Sequence, residues 1–168
     1  MASKPLFISA GIVIATFLIV VLVQGGEDPQ PSEERVHAAS FSLTDIETGG
    51  EITLESYDGE PLVIHVFASW CGLCSSTARS IASYADEEDF NVLLISADTR
   101  ESEQALLEFK ERLGRDSWRI ARLTPEMERA YAVRSLDTKF VIADGEIVYS
   151  DTRSWRADDA RRHIGGVV

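Results

Sequence analysis

The sequence predicts an α/β sandwich around a mixed β-sheet, and three observations carry that reading. Apolar runs of strand length alternate with amphipathic helical stretches from about residue 60 onward. One of the runs, "PLVIHVF" at 61–67, is apolar on both faces, as expected of a central strand. The chain then closes on "TKFVIADGEIVYS", a hairpin signal centred on Asp144-Gly145. Hydrophobic residues make up 45% of the 168, enough for a real core.

The elements follow in order. Residues 1–5 form a short tail containing Lys4, and Leu6 to Val23 contains no charge. As a helix that run would span about 27 Å, close to the apolar thickness of a bilayer. Positive charge precedes it, and "GGEDPQPSEE" follows with no basic residue before Arg35. The expected orientation is therefore N-terminus in, with everything after Val23 outside the cytoplasmic membrane. A cleaved signal peptide is the alternative, but its apolar region is normally shorter and "VLVQGGED" is a poor cleavage site. Either way the domain would work where disulfides persist. Residues 24–39, rich in Gly, Pro and acids, read as a flexible linker.

The folded domain is expected over 40–168. "FSLTDIETGGEITLESY" alternates on both sides of Gly49-Gly50 and reads as a β-hairpin. After the strand at 61–67 come Cys71 and Cys74, then a helical stretch "CSSTARSIASYA". "FNVLLISAD", 90–98, is a second apolar strand. In "SEQALLEFKERLG", Leu106, Phe109 and Leu113 share one stripe, acids come early, bases late, and Gly114 can close the helix. Thr124-Pro125 pairs an N-cap residue with proline at the first helical position, starting a short helix to about Tyr131. A last helix is expected over "RADDARRHI".

Charge narrows the function. With 16 basic and 28 acidic residues the net charge is −12, a field that repels phosphate backbones, so no nucleic-acid partner is expected. Only Lys4, Lys110 and Lys139 are lysines. An acidic surface of this kind favours a basic docking partner over an acidic one.

The two cysteines, Cys71 and Cys74, are separated by Gly72 and Leu73 and lie between a buried strand and a helix start. A helix N-terminus offers unpaired N–H groups and a positive dipole end, which stabilise a thiolate on the first cysteine. Two intervening residues let the second sulfur reach the first. Cys71 is thus the candidate nucleophile, Cys74 the candidate resolving thiol, and Trp70 a wall of the site.

"FSLTDIETGGEITLESYDGEPLVIHVFASWCGLC" resembles the start of the membrane-anchored thioredoxin-like proteins of the redoxin or TlpA type. The likeness extends through "YAVRSLDTKFVIADGEIVY" and covers about residues 41–150. It implies a thioredoxin fold with an N-terminal β-hairpin, a Cys71–Cys74 redox-active disulfide and no other cofactor. It also implies thiol:disulfide exchange with extracytoplasmic protein thiols, often in cytochrome c maturation or general disulfide reduction. Because no nucleotide- or flavin-binding signature is present, electrons would pass to or from another membrane protein.

Two positions depart from the family pattern. In the loop Leu136-Asp137-Thr138, Asp137 stands where the family usually has a cis-proline beside the disulfide. A non-proline cis bond costs about 3–4 kcal/mol, so a trans peptide is expected there. The carboxylate either lies near the sulfurs, where it would raise the Cys71 pKa, or only caps a turn. His65, six residues before Cys71, occupies the place of a buried aspartate that moves protons at the second cysteine. An imidazole suits the same work for Cys74; the alternative is a buried histidine with satisfied ring nitrogens.

Other chemistries fit less well. Structural zinc needs four ligands, and no second Cys pair exists, so no metal site is expected. Attached c-type haem needs a histidine after the second cysteine, where Ser75 stands. Copper(I) delivery is the main rival, because two thiolates suit that ion and the metal-excluding proline is gone. A non-catalytic scaffold with a fixed disulfide is the third reading.

Overall fold

The computed structural model describes residues 36–168. The predicted tail and membrane span, 1–23, and most of the linker lie outside them. Among the described residues no helix is long and apolar enough to cross a membrane.

Among the described residues there are eight strands and four helices. In chain order they are β1 (Val36–His37), β2 (Ser42–Thr44), β3 (Glu51–Thr53), β4 (Leu62–Phe67), α1 (Gly72–Tyr84), β5 (Asn91–Ser96), α2 (Glu103–Glu111), β6 (Arg119–Arg122), α3 (Pro125–Ala130), β7 (Thr138–Ala143), β8 (Glu146–Asp151) and α4 (Ala157–Ile164). A 3₁₀ turn at Leu54–Tyr57 follows β3. The main sheet has the order β1-β8-β7-β4-β5-β6, and β2 and β3 form a separate hairpin. β4, β5 and β6 are parallel, and β7 runs antiparallel to β4. The β7–β8 turn has Asp144 at φ 52° and Gly145 at φ 74°, the left-handed pair that a tight hairpin needs.

Every residue of β4 is buried, and the alternation of its side chains creates two cores. Val63 and Phe67 face the layer that holds Cys74, Ala78 and Ile81 of α1, Leu106 and Phe109 of α2, and Ile164 of α4. Leu62, Ile64 and Val66 face the opposite layer, where Phe41, Leu43 and Ile52 of the hairpin region meet Met127 and Tyr131. His65 shares the parity of Val63 and Phe67. The strand therefore points it toward the α1 side.

The helix signals read from the sequence are used as expected. Ser102 Oγ accepts from the Ala105 amide, and Thr124 Oγ1 from the Met127 amide. Gly114, at φ 64°, follows the last turn of α2. The sequence reading did not contain β6, whose "RIAR" has only two apolar residues, Ile120 and Ala121. Ordered structure also starts before residue 40, because Val36 and His37 pair with Ile147 and Glu146. Asp45 holds the hairpin loop, accepting from the Glu47 amide at 2.8 Å and from the Arg119 guanidinium on β6.

Candidate active site

β4 ends at Phe67, and the chain turns through Ala68-Ser69-Trp70 before α1 begins. Glu101 sets that turn: its Oε1 accepts from the Ser69 amide at 2.7 Å and from the Ser69 hydroxyl, while Oε2 accepts from Ser96 Oγ at 2.8 Å. The Trp70 indole N–H donates to Asp98 at 3.0 Å. Arg100 grips the same carboxylate with Nε and Nη2, both at 2.9 Å. Hydrogen bonds from Arg100 and the Trp70 indole hold the Asp98 carboxyl well below the usual carboxylate range.

Cys71 and Cys74 form a disulfide, with Cα atoms 5.3 Å apart. Cys71 is the N-cap of α1, and its Sγ accepts the Cys74 amide at 3.1 Å. The two sulfurs are unequal: Cys71 is partly exposed, whereas Cys74 is 0% exposed. Trp70 and Leu73, 64% and 66% exposed, flank the accessible sulfur with apolar surface. Of the pair, only Cys71 retains solvent exposure.

A buried polar cluster meets α1 at Thr77, on the helix that carries Cys74. His65, 0% exposed, has Nε2 at 2.9 Å from Asp137 Oδ1, while its Nδ1 has no hydrogen-bond partner. Asp137 Oδ2 accepts the Thr77 hydroxyl at 3.0 Å. Thr77 is on α1, one turn beyond Cys74. Thr77 Oγ1 accepts the Trp155 amide at 2.9 Å and lies 3.3 Å from Ser154 Oγ. Lys139, also fully buried, lies 3.7 Å from Asp137 Oδ1 and 3.0 Å from Asp151 Oδ1. Its ammonium donates to the carbonyls of Asp137 and Arg153. One cation thus sits between two carboxylates, which is what makes these charges tolerable out of water.

Asp137 combines features that neither sequence reading held in full. All peptide bonds among the described residues are trans, and Asp137 adopts φ 60°. Aspartate tolerates that left-handed conformation better than most residues. Its amide donates to Val66 O at 2.9 Å, joining the loop to β4. The carboxylate turns inward to His65 and Thr77. Leu136 packs against the core cluster that contains Cys74, and the Thr138 hydroxyl donates to Ser135 O at 2.7 Å.

Burial pushes the His65 pKa down, and the bond to Asp137 only partly opposes that shift. The resting imidazole is therefore neutral at neutral pH. Of the residues singled out in the sequence, the structure joins His65 to Asp137, packs Leu136 in the core cluster that holds Cys74, and ties Trp70 to Asp98. Sequence reasoning missed Thr77, Glu101 and Lys139. Lys139 did leave a signal: a lysine inside the apolar strand "TKFVIA" requires a buried counter-charge.

Residues 35–150 match the AhpC/TSA family. The chain belongs to the AhpC/TSA family. Within this redoxin family it carries a Cys71-Gly72-Leu73-Cys74 pair on a thioredoxin-like fold. A thioredoxin-family thiol:disulfide interchange protein from Chlorobium tepidum TLS is 20% identical, with TM-score 0.69, covering 79% of this chain and 96% of that one. A thioredoxin-like protein from Aeropyrum pernix is 18% identical, with TM-score 0.68, and covers 94% of this chain and 99% of its own. The exposed lipoprotein thioredoxin Etrx1 of Streptococcus pneumoniae strain TIGR4 is 23% identical, with TM-score 0.56, covering 74% and 96% respectively. No curated protein matches the chain's sequence.

Proposed function

We propose that this redoxin exchanges thiols and disulfides with extracytoplasmic proteins through the Cys71–Cys74 pair. The observation that carries the proposal is the asymmetry of the two sulfurs: Cys71 is reachable at a helix N-terminus, and Cys74 is enclosed. In the reduced protein, the Cys71 thiolate attacks a substrate disulfide, forms a mixed disulfide and releases one substrate thiol. The Cys74 thiol then loses its proton and attacks Cys71 Sγ. The substrate leaves with its second thiol, and the Cys71–Cys74 disulfide closes. The reverse sequence reduces the protein.

Cys71 is the nucleophile, Cys74 the resolving thiol, and His65 takes the proton that Cys74 loses. Trp70 and Leu73 offer an apolar seat beside the attacked sulfur. No further cofactor is required. Leu6 to Val23 anchors the protein in the cytoplasmic membrane with the domain outside, and a membrane protein regenerates the pair. The uncharged run with its flanking charges supports the anchor. The exposed location of the pneumococcal thioredoxin and the interchange activity named for the Chlorobium protein agree with the reading.

The test is capture of exchange partners. A Cys74→Ser variant cannot resolve the mixed disulfide, so it should accumulate covalent adducts on Cys71 that a reductant releases. Absence of adducts from Cys74→Ser, with Cys71 shown to be reduced and reachable by a maleimide, would contradict the proposal.

A further inference from the structure

The exchange reaction needs a base for Cys74, because a thiol with no solvent exposure cannot hand its proton directly to water. His65 is on the correct face of β4. A histidine, however, can act there only in one tautomer, with a free nitrogen and a fixed ring. What supplies both in this chain is the residue at the expected proline position. We infer that Asp137, held in place by Thr77, is the positioning residue that makes His65 the base for Cys74. The inference rests on the exchange reading above.

The geometry is directional. Asp137 Oδ1 lies 2.9 Å from His65 Nε2, so a carboxylate there takes the Nε2 proton as its hydrogen bond. Nδ1 is then the unprotonated nitrogen, and it is the buried ring atom without a partner. The second carboxylate oxygen is fixed independently by the Thr77 hydroxyl at 3.0 Å. Thr77 has one hydroxyl proton, given to Asp137, so toward Ser154 Oγ at 3.3 Å it can only accept, and the Ser154 proton is shared between Thr77 Oγ1 and Leu73 O at 3.5 Å. Ser154 is exposed, which links the carboxylate to solvent through two hydroxyl groups.

The step balances. The S–H bond of Cys74 breaks, its proton bonds to His65 Nδ1, and the sulfur electron pair forms the bond to Cys71 Sγ. The Cys71–substrate bond breaks, and its electron pair leaves on the substrate sulfur. His65 is then an imidazolium against the Asp137 carboxylate, an ion pair stabilised by the low dielectric around it. Loss of that proton to solvent resets the site.

Other charges bear on the pair. Lys139 is the cross-strand neighbour of His65 and opposes its protonation, while Asp151 on β8 offsets Lys139. Arg153 contacts Asp151 from the exposed side. From α1, Thr77 reaches the pair through Asp137 Oδ2, Cys74 lies in the core layer toward which β4 points His65, and Phe67 borders the imidazole with ring centroids 6.2 Å apart.

The experiment uses the reduced full-length protein and Ellman's reagent, whose two chromophore releases separate the steps. The first release reports attack by Cys71, and the second reports Cys74 resolving the mixed disulfide. Both are followed by stopped flow from pH 5 to 9. Asp137→Asn should slow the second release about 10-fold near neutral pH and move its pH profile, leaving the first within about twofold. In a His65→Ala background, Asp137→Asn should add nothing, because Asp137 acts through His65. Thr77→Ser should keep the wild-type second phase, and Thr77→Val should slow it.

Equal slowing of both releases, or an added loss in the double variant, would overturn the positioning role while leaving exchange itself standing. If Asp137→Asn does not fold, the Thr77 pair decides: an unchanged second phase in folded Thr77→Val overturns the inference. A wild-type protein that gives no release would instead sink the exchange reading.

Discussion

Restoring the expected proline is the most informative perturbation, because the structure predicts damage where the family pattern suggests repair. Asp137 has φ 60°, whereas proline is fixed near −65°. Its amide donates to Val66 O at 2.9 Å, and proline has no proton to give. A buried carbonyl left unpaired costs about 1–3 kcal/mol. The carboxylate bonds to His65 and Thr77 vanish as well, at about 1–2 kcal/mol each in this buried setting. Asp137→Pro should therefore destabilise the oxidised protein by about 5 kcal/mol, a large share of ordinary domain stability. Asp137→Gly accommodates the left-handed backbone and keeps the amide, so it should lose only the side-chain part, about 3 kcal/mol. The assay is urea unfolding followed by Trp fluorescence, with the two variants compared at constant m-value. Asp137→Pro within about 1 kcal/mol of the wild type would refute this account of the loop, as would Asp137→Gly being equally damaging.

Three further outcomes are expected. Burial lowers the pKa of both His65 and His163, so below about 6.5 the unfolded chain binds more protons than the folded one. Stability should fall as the pH drops from 7 toward 5, by up to about 1.4 kcal/mol per pH unit for His65, and His65→Gln should flatten that slope in urea titrations. Burial works to raise the Asp45 carboxyl, but bonds from Arg119 and the amides of Glu47 and Thr48 outweigh it and hold the pKa down. Stability from Asp45 is therefore lost only on going below its ordinary value of 3.8. Separately, Glu101→Ala removes the acceptor for the Ser69 amide and Ser96 hydroxyl; it should cost about 2 kcal/mol in the same unfolding assay, and Glu101→Gln should recover part of it.

Much of the architecture could be read from local signals. The apolar run of β4, interrupted only by His65, the glycines at 49–50, the Thr124-Pro125 helix start and the Asp144-Gly145 turn each specify an element within a few residues. β6 was hidden because its two apolar residues are flanked by arginines that serve elsewhere: Arg119 holds Asp45, and Arg122 donates to Glu101 O at 2.6 Å. The cysteines and their helix start were equally local. The buried polar cluster was not, since His65 and Asp137 are 72 positions apart and only strand pairing in the folded sheet joins them. A histidine in one buried strand and a lysine in another are each anomalous alone. The sheet makes them cross-strand neighbours, and the loop carboxylate then explains both.

The central claim is that Cys71 and Cys74 form an exchange-active couple instead of a fixed staple or a copper site. The direct measurement is the equilibrium reduction potential of the pair against glutathione or dithiothreitol, taken with and without copper(I). The account predicts a potential above about −300 mV, rapid equilibration, and exchange that survives a chelator unchanged. A much lower potential with slow equilibration would contradict it, as would stoichiometric copper binding that blocks exchange.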